Sequence, residues 1–393
     1  MTVTDIREHA MRVIEKLNEN NYEAYLVGGY VRDLLLGIPS SDIDITSNAT
    51  PDQVREVFPD AKDTGLRFGT VTVFYEGEAF EVTTFRKDMG YDDHRHPSTI
   101  VFSDSLEEDL KRRDFTVNAF AMDAEGRVID LFAGTEDLKH KIIRAIGNPD
   151  ERFKEDALRI LRAFRFTAKL DFDIETKTLT AIIDDMPLLK KIANERILDE
   201  FKKMIELPFV KKAMTLMDTC GVGRVLPELK KGLKRVVASE EPLSDALDFF
   251  TLCRYENKQP FSKSWRFSNR ERTEINQTAL LLNKALSEGF DAYDVYTHGM
   301  DTCLKVNRLQ RFYDPRKDDE SLIVNLNEKL PINSEKDLAF RGADIRRLEH
   351  LEDPATIGKL LNQIERTIIA GKLKNDYDAI KTFVEERLRE EQN

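Results

Sequence analysis

Hydrophobic periodicity changes character along this chain of 393 residues. Up to about residue 140, short β-branched and aromatic runs (Thr70 to Tyr75, Ala79 to Phe85, Arg127 to Leu131) alternate with helical stretches. Beyond about residue 150 the strand signal fades. Helical spacing then dominates in Asp156 to Phe166, Glu195 to Ile205, Leu243 to Cys253, Arg270 to Leu286 and Ile357 to Ile369. Period 2 builds a half-buried strand and period 3.6 an amphipathic helix. A chain that carries both, one after the other, is expected to be α+β: a mixed α/β head followed by an elongated all-α remainder. The polar, Pro-containing stretch Asp314 to Ser334 reads as the late junction.

The length allows two to four domains and a sizeable core. Hydrophobic content of 41% with 34% charged residues is ordinary for a soluble protein. No run of 18 apolar residues occurs and the N-terminus reads as neither signal nor transit peptide, so no membrane role is expected. Three scattered cysteines, Cys220, Cys253 and Cys303, have no metal-ligand spacing and read as small buried apolar residues in a reducing cytoplasm. The formal net charge of −12 argues against a broad nucleic-acid footprint. Contact with a polyanion would need local basic patches, such as Lys111-Arg112-Arg113 or the arginines at 159, 162 and 165.

One segment concentrates chemistry. Tyr25 to Val27 is apolar, Gly28-Gly29 breaks it, an amphipathic stretch carries Arg32 and Asp33, and the chain returns as Asp42-Ile43-Asp44-Ile45. In a strand, Asp42 and Asp44 would share one face while Ile43 and Ile45 face the core. Paired carboxylates suit Mg²⁺, which binds one or two of them and leaves its other positions to water and phosphates. The glycines let backbone approach a phosphate, and Arg32 adds a fork of donors. The functional reading is a metal-dependent nucleotidyl-transfer site; the competing one is a half-exposed strand with alternating Asp. There is no GxxxxGK[ST] segment, and Gly28-Gly29 does not fit GxGxxG.

Lys111-Arg112-Arg113-Asp114-Phe115-Thr116-Val117-Asn118-Ala119 places two arginines before a capping Asp and a short helix. That is either a phosphate grip or a helix start with surface arginines. In Glu155-Asp156-Ala157-Leu158-Arg159, a helical reading makes Asp156 and Arg159 i,i+3 neighbours, able to form a weak ion pair. Held as a fixed pair they could also read a base. A carboxylate only accepts and a guanidinium only donates, which matches cytosine or adenine and leaves guanine or uracil unpaired. Each unpaired group costs about 1–3 kcal/mol. Arg162 and Arg165 continue the stripe, but steps of three drift by about 60° each, so Arg165 is expected nearly opposite Asp156, in a phosphate or scaffolding role.

Arg86 to Pro97 is polar, contains Gly and Pro, and reads as a mobile loop; His94 and His96 have no cysteine beside them to make a metal site. Glu81 lies on a strand expected to pair near Asp42, as an auxiliary acid or a solvent-facing residue.

The motifs GGxxRD with Asp42 and Asp44, RRDFTxNA and EDxxR together resemble the class II tRNA nucleotidyltransferase and bacterial poly(A) polymerase family of the polymerase β superfamily. The resemblance implies a catalytic head over residues 1–140, a helical neck with the nucleotide-selecting motif over 141–205, a helical body over 206–315 and a tRNA-binding tail over 316–393. It implies Asp42 and Asp44 as catalytic Mg²⁺ ligands and Gly29, Arg32, Arg113, Asp156, Arg159, Arg162 and Arg165 as nucleotide contacts. Gly28, Asp114, Asn118 and Glu81 would support them. The implied activity is template-independent addition of C, C and A to tRNA 3′ ends from CTP and ATP, with tRNA held at its 3′ end and elbow. The alternatives are poly(A) synthesis, or partial addition of CC or A. In the family the loop at 86–97 serves the switch from C to A, and Ala193 to Ile197 resembles a fifth motif that braces the pocket. Gly342 to Ile345 with Pro354 to Leu373 resembles the tail. Oligomeric state stays open, a homodimer being one option.

Overall fold

The computed structural model describes residues 3–91, 97–349 and 353–392. They fall into two compact units, Met1–Leu233 with Ser262–Arg266, and Lys234–Phe261 with Phe267–Asn393.

The first unit is built on nine strands in two sheets near its start: β1 (Ala24–Val27), β2 (Asp44–Ser47), β3 (Lys62–Gly65), β4 (Thr70–Tyr75), β5 (Glu78–Thr84), β6 (Arg86–Tyr91), β7 (Pro97–Phe102), β8 (Phe120–Met122) and β9 (Val128–Asp130). Seven form one mixed sheet in the order β3-β4-β5-β2-β1-β8-β9. Strand β2 is central, antiparallel to β1 and parallel to β5. Its register sets Asp44 beside Glu81 and Thr46 beside Thr83, and β4 continues that row with Thr72 and Thr70. Register partners in a sheet share a face. One face is therefore threonine and carboxylate. The other carries Ile45, Val71, Val73, Phe80 and Val82, all buried. The amphipathic helix Val3–Glu19, whose Ala10, Val13, Ile14 and Leu17 are fully buried, packs over this sheet. Opposite preferences of the two faces leave the polar one free for a site.

The α+β reading holds: past Ile143 the elements are helices and 3₁₀ turns, apart from a two-residue parallel pairing of Ile142–Ile143 with Asp173–Ile174. Three local expectations are corrected. Arg86 to Pro97 is not an irregular loop at its ends, because β6 and β7 pair antiparallel as a two-stranded sheet. Charges and Gly90 mask the alternation there; His94 and His96 lie outside the described residues. The helix expected from Asp156 to Phe166 begins later. One helix ends at Glu155, Asp156 is extended (φ −140°, ψ 102°), and the next runs Leu158–Leu170. Finally, Asp314 to Ser334 is not the junction between the two units: it lies inside the second and holds the helix Glu320–Glu328, which buries Ile323.

The second unit is helical, and its core includes Phe340, Ile345, Leu360, Ile364, Ile380 and Val384. Cys253 and Cys303 are buried as expected, whereas Cys220 is only partly so. Among the described residues no helix is long and apolar enough to cross a membrane.

Candidate active site

A cleft of about 570 Å³ opens in the first unit, and the three sequence motifs meet in it. Gly28, Gly29, Arg32, Asp42, Asp44, Arg113, Asp114, Asn118, Asp156, Arg159, Arg162 and Arg165 all line it. Eight cationic side chains and five carboxylates face it, so the cleft is net positive in a chain that is net negative.

Asp42 and Asp44 stand at the entry to β2, both exposed, with Ile43 and Ile45 buried between and after them. Asp42 precedes the strand by two residues, yet the alternation that sends both carboxylates one way is kept. Asp44 is pushed above the ordinary carboxylate range by the protein mass around it, then by the charges of Asp42 and Glu81, against relief from Arg113. Glu81 lies beside Asp44 in register but is not among the residues lining the cleft.

Gly28 joins β1 to the short helix Gly29–Leu35 at φ +72°, a left-handed conformation that favours glycine. A Cβ there would sit 2.9 Å from Arg113 Nη1, so the position also makes room for that guanidinium. Arg113 and Arg112 are aimed by a residue the sequence reading missed. The Asp109 carboxylate, fully buried, accepts from Arg112 Nε and Nη2 at 2.9 and 2.7 Å and from Arg113 Nη2 at 3.2 Å. Burial pushes Asp109 up, but the two guanidinium charges outweigh it and hold the carboxyl below its usual range. The helix-start reading of this motif is corrected: Thr116–Asn118 is a single 3₁₀ turn with no side-chain cap, too short to supply a helix-terminal field.

Asp114 instead anchors a hydrogen-bond relay across the cleft wall. Its Oδ1 accepts from the Phe115 amide and from Asn118 Nδ2, both at 2.9 Å, and its Oδ2 accepts from Arg162 Nε at 2.6 Å. Asn118 Oδ1 in turn accepts from Arg32 Nη1. Burial raises Asp114, and Arg162 with Asn118 more than offsets it, so this carboxyl also lies below its usual range. Arg32 is itself only 2% exposed, with Nε and Nη2 on Asp33 Oδ1 at 2.8 and 2.7 Å. Asp33 Oδ2 accepts from Lys169 Nζ at 2.8 Å, a cleft-lining cation absent from the sequence reading.

Asp156 and Arg159 share the cleft without pairing. Arg196 donates to both oxygens of Asp156, at 3.3 and 2.9 Å. Arg159 donates to Glu155 Oε2 at 2.7 Å and to the carbonyls of Arg152 and Arg112 at 3.1 and 2.9 Å. The i,i+3 ion pair fails because Asp156 lies before the helix. The same break corrects the angular expectation for Arg165. Leu158, Arg162, Arg165 and Lys169 are spaced i, i+4, i+7, i+11 and form one helical stripe along the cleft. Arg165 is oriented by the buried Glu200, which accepts from its Nε at 2.7 Å. Arg32, Arg162 and Arg165 gather round Phe166, their guanidinium carbons 5.3, 5.5 and 5.0 Å from its ring centre.

Among the described residues no group of three or more His, Cys, Asp or Glu is arranged to hold a metal. Asp42 and Asp44 still fit Mg²⁺, which needs only one or two carboxylates when substrate phosphates complete its shell.

Sheet and cleft together define a nucleotidyltransferase of the polymerase β type. Residues 24–144 match the family model described as poly A polymerase head domain, and residues 244–384 match a tRNA nucleotidyltransferase domain 2 model. The chain is 38% identical over 398 aligned residues to a CCA-adding enzyme of Streptococcus pyogenes, covering 99% of each protein, and 38% identical to one of Streptococcus mutans, covering 97% of each. A crystal structure of the Bacillus stearothermophilus CCA-adding enzyme in complex with CTP superposes with a TM-score of 0.86 at 33% identity, over 98% of each chain. This chain belongs to the CCA-adding enzyme family.

Proposed function

We propose that this protein adds C, C and A to the 3′ ends of tRNA in the cytoplasm, using CTP and ATP and releasing pyrophosphate. The observation that carries the reading is the convergence of Asp42, Asp44, the arginine-rich wall and Asp156 with Arg159 in one cleft of this family's fold. In each cycle the acceptor 3′-oxygen bonds to the α-phosphorus of the nucleotide. The bond from that phosphorus to the bridging oxygen breaks, and pyrophosphate leaves with the electron pair while the hydroxyl proton passes to solvent.

Asp42 and Asp44 would hold Mg²⁺, which supplies a lowered pKa for the attacking hydroxyl and charge stabilisation for the leaving group. The chain's own contribution is positioning and electrostatics. Arg113, aimed by Asp109, with Arg162 and Arg165, aimed by Asp114 and Glu200, neutralises the triphosphate. Gly28 and Gly29 let the backbone approach it. Arg32, buried between Asp33 and Asn118, acts mainly as a strut that spaces the wall. Asp156 accepts from the exocyclic amine of cytosine or adenine and Arg159 donates to the adjacent ring nitrogen, the pattern that guanine and uracil reverse. Residues 1–140 serve as head, 141–205 as neck, 206–315 as body and 316–393 as the tail that meets the tRNA elbow.

The test is to incubate the full chain with tRNA ending at the discriminator base, CTP, ATP and Mg²⁺, and to count added nucleotides. Three and stop supports CCA addition. Two would mean CC addition, and a long ladder with ATP alone would mean poly(A) synthesis.

A further inference from the structure

The helix Leu158–Leu170 carries Arg159, Arg162, Arg165 and Lys169 along the cleft, and three of these side chains tie it to residues of the sheet-bearing part of the first unit. Arg159 Nη2 donates to the Arg112 carbonyl at 2.9 Å, Arg162 Nε to Asp114 Oδ2 at 2.6 Å, and Lys169 Nζ to Asp33 Oδ2 at 2.8 Å. Arg165 differs. Its partner Glu200 stands on the neighbouring helix Asn194–Ile205, so that bond does not fix Leu158–Leu170 to the sheet.

The ties close a circuit. From Arg162 the hydrogen bonds run through Asp114, Asn118, Arg32 and Asp33 to Lys169, and so return to the same helix about two turns further on. Both Arg32 Nε and Nη2 rest on Asp33 Oδ1, so the buried carboxylate has its counter-charge without Lys169. What Lys169 adds is a second, distant grip. A helix rises 1.5 Å per residue, so Arg159 and Arg162 hold it at points about 4.5 Å apart, whereas Arg159 and Lys169 hold it about 15 Å apart. With the same play at each bond, the helix tilts about three times as far once Lys169 is lost.

The far end of this grip leads to the carboxylates. Asp33 lies on the helix Gly29–Leu35, which packs on β1, and β1 pairs with β2 so that Val27 is the register partner of Asp44. Granting the transfer reading above, we propose that Lys169 is a positioning residue for the α-phosphorus. Its bond to Asp33 sets the tilt of Leu158–Leu170, and with it the place where Arg159, Arg162 and Arg165 hold the nucleotide relative to Asp42 and Asp44. Lys169 takes no phosphate oxygen itself. Its loss therefore slows transfer without weakening nucleotide binding, since the gripping arginines all remain.

The experiment compares wild type, Lys169→Met and Lys169→Arg in single-turnover addition of the first C to tRNA ending at the discriminator base. CTP is titrated, and Tm is measured on the same preparations. Methionine keeps an apolar stem and leaves Asp33 paired with Arg32. The maximal rate should fall about tenfold in Lys169→Met, less than the roughly hundredfold that a full ångström of misplacement costs. The apparent Kd for CTP should stay within about twofold of wild type. Lys169→Arg, which can still donate to Asp33, should recover most of the rate. A Kd that rises while the maximal rate holds would overturn the proposal and make Lys169 a direct phosphate contact. An unchanged rate would overturn it too, as would a rate loss accounted for by a Tm so low that the variant is partly unfolded during the assay. A wild-type chain that extends no tRNA would defeat the transfer reading and this inference with it. A wild type that extends tRNA no faster than Lys169→Met would defeat this inference alone.

Discussion

Arg196 grips the carboxylate of Asp156 through two nitrogens, at 3.3 and 2.9 Å, from 40 residues further along the chain. The pair fixes a group that has no helix of its own to orient it, because Asp156 sits extended between two helices. Arg196→Ala should free Asp156 to rotate and let guanine and uracil be accommodated. The preference for CTP and ATP over GTP and UTP should fall about tenfold, the cost of one mismatched buried hydrogen bond. Arg196→Lys should recover only part, since an ammonium cannot make the two-point contact. Competitive incorporation with labelled nucleotides reads the ratio.

Asp109 holds both Arg112 and Arg113 from a fully buried position. Asp109→Asn should cost about 3 kcal/mol at neutral pH, because it leaves two guanidinium groups short of their charge partner. The pH dependence has a definite sign. Asp109 and Asp114 both lie below the ordinary carboxylate range in the folded state. Their stabilisation is fully present above about pH 4, where unfolded Asp is ionised, and is lost as pH falls through the folded values. Thermal unfolding measured downward from pH 5 should show a falling Tm in wild type and a shallower acid limb in Asp109→Asn.

Gly28→Ala meets two penalties, a left-handed φ of +72° and a contact of 2.9 Å with Arg113. The backbone term is about 1–2 kcal/mol. Activity should fall further than that loss of stability explains, because Arg113 is displaced from the triphosphate. Tm and single-turnover rate on the same preparation separate the two.

Asp44 carries a cost of a different sign. Its carboxyl is raised by its surroundings and by Asp42 and Glu81, so its ionised form opposes folding above the raised value. Asp44→Asn should therefore abolish incorporation, by on the order of a thousandfold, while Tm rises slightly. A Tm that falls with activity would mean that the residue is a structural support.

What the sequence disclosed depended on how far apart the interacting residues are. The alternation Asp42-Ile43-Asp44-Ile45 is a local, period-2 signal, and it carries through to exposed carboxylates flanking buried isoleucine. The helices Asn194–Ile205, Asn269–Glu288 and Pro354–Ile369 were legible for the same reason. Asp156 misled because no Gly or Pro marks the break after Glu155, so continuous helical spacing outweighed the turn. Lys169 and Asp33 are 136 residues apart, and Arg165 and Glu200 are 35. No local pattern joins such partners; only the fold does. Asp109 was within reach, lying i−3 and i−4 from the two arginines it orients.

On the proposed function, one cleft does both the transfer and the choice of base. The most direct measurement gives tRNA lacking CCA, Mg²⁺ and all four nucleoside triphosphates to the wild-type chain and to Asp156→Ala, then sequences the products. The wild type should add C, C and A and stop, and the variant should add U and G among its products at a reduced rate. A variant that still adds only C, C and A would contradict the account, placing base choice somewhere other than Asp156.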